Sequence, residues 1–131
     1  MRKKRKILFG QKTGPEKLRE TGKRYMDAGR YYDALDFFER AEADDLARQV
    51  AETAAEAGDV PLYMRAKKVL GDEISEEQWL DLAQRAEQAD MLSGAKVAYR
   101  KAGREQEVER LEELVPGAER EASETDPEES G

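Results

Sequence analysis

The chain contains no cysteine and no histidine. Without cysteine it can form no disulfide, thiolate metal site or thiol nucleophile. Without histidine it lacks the commonest general base. Serine stands only at 75, 93, 123 and 130, and the first two read as helix starts, so hydrolysis or acyl transfer has no activated nucleophile. Long apolar runs are also missing. After MRKKRK the arm offers only Ile7-Leu8-Phe9, far short of the roughly 7 to 15 residues of a signal-peptide core or the roughly 18 of a membrane span. The expectation is a soluble, cytoplasmic protein without a transmembrane segment, a cofactor or an enzymatic activity. Apolar residues are scarce too, at 38% against 40% charged over 131 residues. A thin helical stack tolerates that balance, because each helix needs only one or two buried stripes.

What is present is charge, unevenly placed. Residues 1–14 hold Arg2, Lys3, Lys4, Arg5, Lys6 and Lys12 with no acid, a net +6, and residues 116–131 hold six acids against Arg120, a net −5. The chain as a whole is −7, which leaves −8 on residues 15–115. An acidic body argues against a nucleic-acid-binding domain. The basic arm is a separate element: Arg2, Lys3, Lys4, Arg5 and Lys6 could contact RNA, DNA, ribosomes or anionic lipid, at about 1 kcal/mol per cation near a lipid surface.

Between these ends the pattern is helical. Pro15 suits a first turn, with Gly14 or Thr13 as its cap, and Gly29 ends a helix that runs to Ala28. A second helix, from Tyr31 to Ala43, sets Ala34, Leu35, Phe37, Phe38 and Ala41 on one face. Asp44 and Asp45 offer caps for a third, Leu46 to Ala57, with Ala47, Val50, Ala51 and Ala54 as a stripe of small residues. Gly58-Asp59 repeats the turn chemistry, and Pro61 opens a fourth helix that stops at Gly71. Ser75-Glu-Glu-Gln78 has capping-box spacing and opens a fifth helix, to Ala89. A sixth runs from Met91 to Ala102, and a seventh from Glu105 to Val115 has one apolar side, as a terminal cap should. The arm 1–14 and the tail 116–131 are expected to stay unstructured.

The stretch Leu18, Thr21, Gly22, Tyr25, Ala34, Phe38, Ala41 recurs 61 residues later as Trp79, Leu82, Ala83, Ala86, Ala95, Tyr99, Ala102. In this spacing the chain resembles the tetratricopeptide repeats, whose period is about 34 residues and whose pattern is Trp-x2-Leu-Gly-x2-Tyr, Ala-x3-Phe, Ala and Pro. Leu18, Thr21 and Ala86 are substitutions, and Leu46 stands where the family has proline. The resemblance implies an all-α, tetratricopeptide-like α-solenoid of three helical hairpins and a C-terminal capping helix. Its units are expected at 15–48, 49–75 and 76–103, with the cap at 104–115. Two periods would exceed 61 by seven residues, so the middle unit is expected to have lost two helical turns, roughly 10 Å of helix.

The resemblance also implies where recognition happens, on a concave wall made by the first helix of each unit. One position beyond the packing residues lie Arg19, Lys23 and Met26, with Asp27 beside them. The middle unit contributes Arg48, Glu52 and Ala55, and the last Leu80, Gln84 and Glu87. The family members that clamp a chaperone's C-terminal carboxylate use a lysine and an asparagine four apart. Those places here hold Arg19 and Lys23, then Leu80 and Gln84, so that specialisation is not supported. The expected function is a non-catalytic adaptor that takes a peptide or protein partner in this groove. Two other readings stay open: an accessory factor tethered to nucleic acid, ribosome or anionic membrane by residues 2–6, and a self-associating structural unit, a homo-oligomer joined through its stack ends. Gly10-Gln-Lys-Thr-Gly14 lacks the order, spacing and preceding strand of a phosphate loop. Carboxylate pairs such as Glu76-Glu77 and Glu112-Glu113 read as solvated helix faces, and no loop of alternating acids for a metal is present.

Overall fold

The computed structural model describes residues 14–114. The basic arm and the acidic tail expected from the sequence lie outside the described residues, apart from Gly14. The described chain is all-α, with seven helices: α1 Pro15–Asp27, α2 Tyr31–Ala41, α3 Asp44–Ala57, α4 Val60–Leu70, α5 Glu76–Gln88, α6 Leu92–Lys101 and α7 Glu105–Leu114. The closest pairings are α1 with α2, α3 with α4 and α5 with α6, and α7 packs on α6. The result is three antiparallel hairpins and a closing helix. Second helices also touch in series, α2 with α4 and α4 with α6, and first helices α3 and α5 pack together.

Local chemistry sets the hairpin ends. Pro15 occupies the first turn of α1 behind an extended Gly14. Asp59 accepts a hydrogen bond from the Leu62 N–H to cap α4, and at α5 both arms of the Ser75–Gln78 capping box are formed, at 3.1 and 3.0 Å. Asp44 and Asp45, expected to cap α3, lie instead in its first turn, and the cap position is Ala43 with no side-chain bond. Only Glu42 and Ala43 separate α2 from α3, and Ala43 is buried. That places the aspartates one and two residues inside the cap, where their charge still favours the helix N-terminus.

The hairpins are equal, which corrects the expected shortened middle unit. First helices begin at Pro15, Asp44 and Glu76, intervals of 29 and 32 residues, and the middle hairpin's helices of 14 and 11 residues match the flanking 13 and 11, and 13 and 10. The left-handed residues that end the hairpins, Glu42, Gly71 and Gly103, keep the same two intervals. No helix has lost two turns. The irregularity sits in the linkers: Ala43 alone follows Glu42, whereas Asp72 to Ser75 follow Gly71. The unit boundary expected after residue 48 therefore cuts through α3. Intervals of 29 and 32 residues are also shorter than the family period of about 34. α7 begins 29 residues after α5 and sets Val108 and Leu111, both buried, at the positions of Trp79 and Leu82. It is a first helix repeated once more.

One continuous core runs through the stack, with Leu35, Phe38, Val50, Val60, Leu82 and Leu111 its largest fully buried side chains. The close approach within hairpin one depends on Gly22. A Cβ there would fall 2.6 and 2.8 Å from the Phe38 ring, so Phe38 fills space against its own hairpin's first helix. Phe37 stacks on Tyr25 with centroids 5.3 Å apart, and Arg30 and Arg40 lie over Tyr25 and Phe37, at 5.2 and 5.3 Å. These rings are packing elements capped by cations.

Candidate functional site: the first-helix row

The two intervals of 29 and 32 align the expected groove residues helix by helix. Arg19, Arg48 and Leu80 share one position, Lys23, Glu52 and Gln84 the next turn, and Met26, Ala55 and Glu87 the turn after. They form a row because consecutive first helices are neighbours: Arg19 of α1 is bonded to Asp45 of α3, α3 packs on α5, and Glu87 of α5 is bonded to Arg110 of α7.

The row is not uniformly available, however. Arg19 donates from both terminal nitrogens to the two oxygens of Asp45, at 2.9 and 2.7 Å. This fork-to-carboxylate bond links α1 to α3, and it holds the Asp45 carboxyl down at about 2. Glu87 is held lower than an ordinary glutamate, first by hydrogen bonds from Arg110 and then by the one from the Tyr99 hydroxyl. Arg110 donates to both oxygens of Glu87 at 2.8 and 2.9 Å, and Tyr99 donates to it at 2.9 Å. Burial, and next the bond to Glu87, push the Tyr99 hydroxyl up to about 12. Both residues predicted as recognition groups thus act as struts, Arg19 between hairpins one and two and Glu87 between hairpin three and α7. Met26 and Leu80 are half-buried and pack against the core, because each sits one step round the helix from a buried position. Lys23, Asp27, Glu52 and Gln84 are exposed, as is Arg48, which reaches Asp72 at 4.0 Å. The part open to a partner is therefore a narrow band of mixed charge along α1, α3 and α5, bordered by Met26 and Leu80.

The band suits hydrogen bonding and ion pairing with a polypeptide. Its exposed members supply a lysine and an arginine, two carboxylates and an amide, and none of them is paired with a nucleophile. Among the described residues no group of three or more aspartates and glutamates is placed to hold a metal ion, and no helix is long and apolar enough to cross a membrane. Arg2, Lys3, Lys4, Arg5 and Lys6 lie outside the described residues.

A second charged surface was missed by reading the sequence in blocks. α4 and α6 contain no acid at all, whereas α3, α5 and α7 each carry at least four. The net charge of −8 over residues 15–115 averages over this helix-by-helix segregation. Comparison of the chain with models of known protein families, with curated proteins and with solved structures finds no match.

Proposed function

We propose that the protein is a non-catalytic, tetratricopeptide-like adaptor that binds an extended or helical polypeptide along its first-helix row in the cytoplasm. The observation that carries this reading is the alignment of exposed Lys23, Glu52 and Gln84 at one repeat position on consecutive, directly linked helices. A row of this kind presents regularly spaced polar contacts to a chain lying across it, while Arg19–Asp45 ties α1 to α3 and Glu87–Arg110 ties α5 to the closing helix α7. A preorganised surface loses little entropy on binding.

Selection from a displayed random peptide library on the immobilised full chain tests the proposal. Enriched peptides are expected, and their affinity should fall at least about tenfold, or 1.4 kcal/mol, in the Lys23→Glu, Glu52→Lys double variant. Both positions are exposed, so helical ellipticity should not change. Peptides that bind the double variant as tightly as the original chain would remove the reading.

A further inference from the structure

The second helices of hairpins two and three form a cationic layer in an anionic protein. α4 carries Arg65, Lys67 and Lys68, and α6 carries Lys96, Arg100 and Lys101, with no aspartate or glutamate in either. α3, α5 and α7 are the reverse, with four, four and five acids, each against one arginine, whereas α1 holds four cations and three acids. Helix dipoles favour cations in a last turn, which accounts for Lys67, Lys68, Arg100 and Lys101. They do not account for Arg65 in the middle of α4, nor for first turns of α4 and α6 that hold no acid.

α4 and α6 pack side by side, and the 32-residue interval aligns Lys68 with Arg100 and Arg65 with Val97. Some of the cations are engaged: Arg65 with Asp36 at 3.0 Å, and Lys67 with Asp72 at 3.8 Å. Lys68 and Lys101 are exposed and have no acidic partner among the described residues. Between these charges Met64 and Val97 are 36% and 38% exposed. The surface is a ridge of cations with two apolar side chains set into it.

α7 already brings acid to this layer, since Glu112 Oε2 lies 3.8 Å from both Lys96 Nζ and Arg100 Nη2. The sequence that follows α7 continues the same chemistry: residues 116–131 hold Glu119, Glu121, Glu124, Asp126, Glu128 and Glu129 against Arg120. Sixteen residues can span roughly 50 Å, whereas packed helices stand about 10 Å apart, so both α6 and α4 are within reach. A segment tethered this closely has an effective concentration of about a millimolar, enough to populate contacts that are weak one by one.

We infer that the α4–α6 ridge is a docking surface for acidic polypeptide, and that its occupant is residues 116–131 of the same chain. The ridge and the first-helix row belong to different helices, so this inference stands or falls separately from the adaptor reading.

The test is a comparison of the full chain with a variant ending at 115 by amide and methionine-methyl nuclear magnetic resonance. At low salt, removal of 116–131 should shift the signals of Lys68, Arg100, Lys101 and Met64. About 0.5 M sodium chloride, where screening acts beyond roughly 4 Å, should move the full chain's signals toward those of the variant. In Lys68→Glu, Lys101→Glu, which reverses two exposed side chains, the deletion should no longer move the ridge signals. Ridge signals indifferent to the deletion would overturn the inference. So would a response that disappears when Arg2, Lys3, Lys4, Arg5 and Lys6 are replaced by alanine, which would give the acidic segment to the arm, or one that grows with protein concentration, which would give it to a second copy.

Discussion

Two glycines with the same backbone conformation separate the cost of a turn from the cost of a contact. Gly58 and Gly71 have φ of +72° and +73°, but a Cβ on Gly71 would meet nothing within 4 Å, whereas one on Gly58 would fall 2.7 Å from Ala86 Cα and 2.8 Å from Ala86 N and Arg85 O. Gly71→Ala therefore pays only the left-handed conformation, about 1–2 kcal/mol, partly offset by a stiffer unfolded chain, for a net loss of about 1 kcal/mol. Gly58→Ala pays this and an overlap with α5. The overlapping atoms are backbone and cannot rotate aside, so a further loss of about 1–3 kcal/mol is expected. At roughly 4–8 °C per kcal/mol for a domain of this size, Gly71→Ala should melt roughly 4–8 °C below the original chain, and Gly58→Ala roughly 8–32 °C below it. Urea and thermal unfolding followed by helical ellipticity give both values. Equal losses in the two variants would refute the close packing of the α3–α4 turn against α5.

Other perturbations act at named positions. Glu42 is left-handed at φ +55°, where the other two hairpins end in glycine, so Glu42→Gly should raise the urea midpoint by roughly 0.5 kcal/mol in stability, the relieved strain less the added unfolded-state entropy. Ser75→Ala removes one arm of the capping box and should cost about 1 kcal/mol in the same measurement. The Asp45 carboxyl, depressed to about 2 by Arg19, contributes stability that is complete above the unfolded carboxyl value of about 4 and is lost as pH falls from there toward 2. Asp45→Asn should flatten the acid side of the stability profile in that window, and an unchanged acid limb would show that the Arg19 bond does not persist in solution. Tyr99, raised to about 12, contributes stability that is complete below the unfolded value of about 10 and is lost as pH rises toward 12. Tyr99→Phe should remove that alkaline decline.

The features legible in the sequence are those fixed within a few residues. Ser75 and Gln78, Asp59 beside Gly58, and Pro15 behind Gly14 declare helix starts and turns, and all seven helices lie within a few residues of their expected places. Gly22 and Phe38 are marked by their repeat positions, but their contact within one hairpin comes from the structure. Spacing between hairpins was harder to read. An offset of 61 is the sum of two intervals, and a sum does not say that they are 29 and 32 or that the difference lies at Asp72–Ser75. The struts were illegible for a similar reason: Arg19 and Asp45 are 26 residues apart, Glu87 and Arg110 are 23 apart, and only stacking of one unit on the next brings them together. Hence the row was found by its repeat position while two of its expected contact groups, Arg19 and Glu87, proved to be occupied.

The most direct test of polypeptide recognition is resonance mapping of a selected peptide titrated into the full chain. The first-helix row predicts shifts centred on Lys23, Arg48, Glu52 and Gln84 of α1, α3 and α5, with the ridge at Lys68 and Lys101 unmoved. Shifts confined to α2, α4 and α6, or to the two ends of the stack, would contradict it.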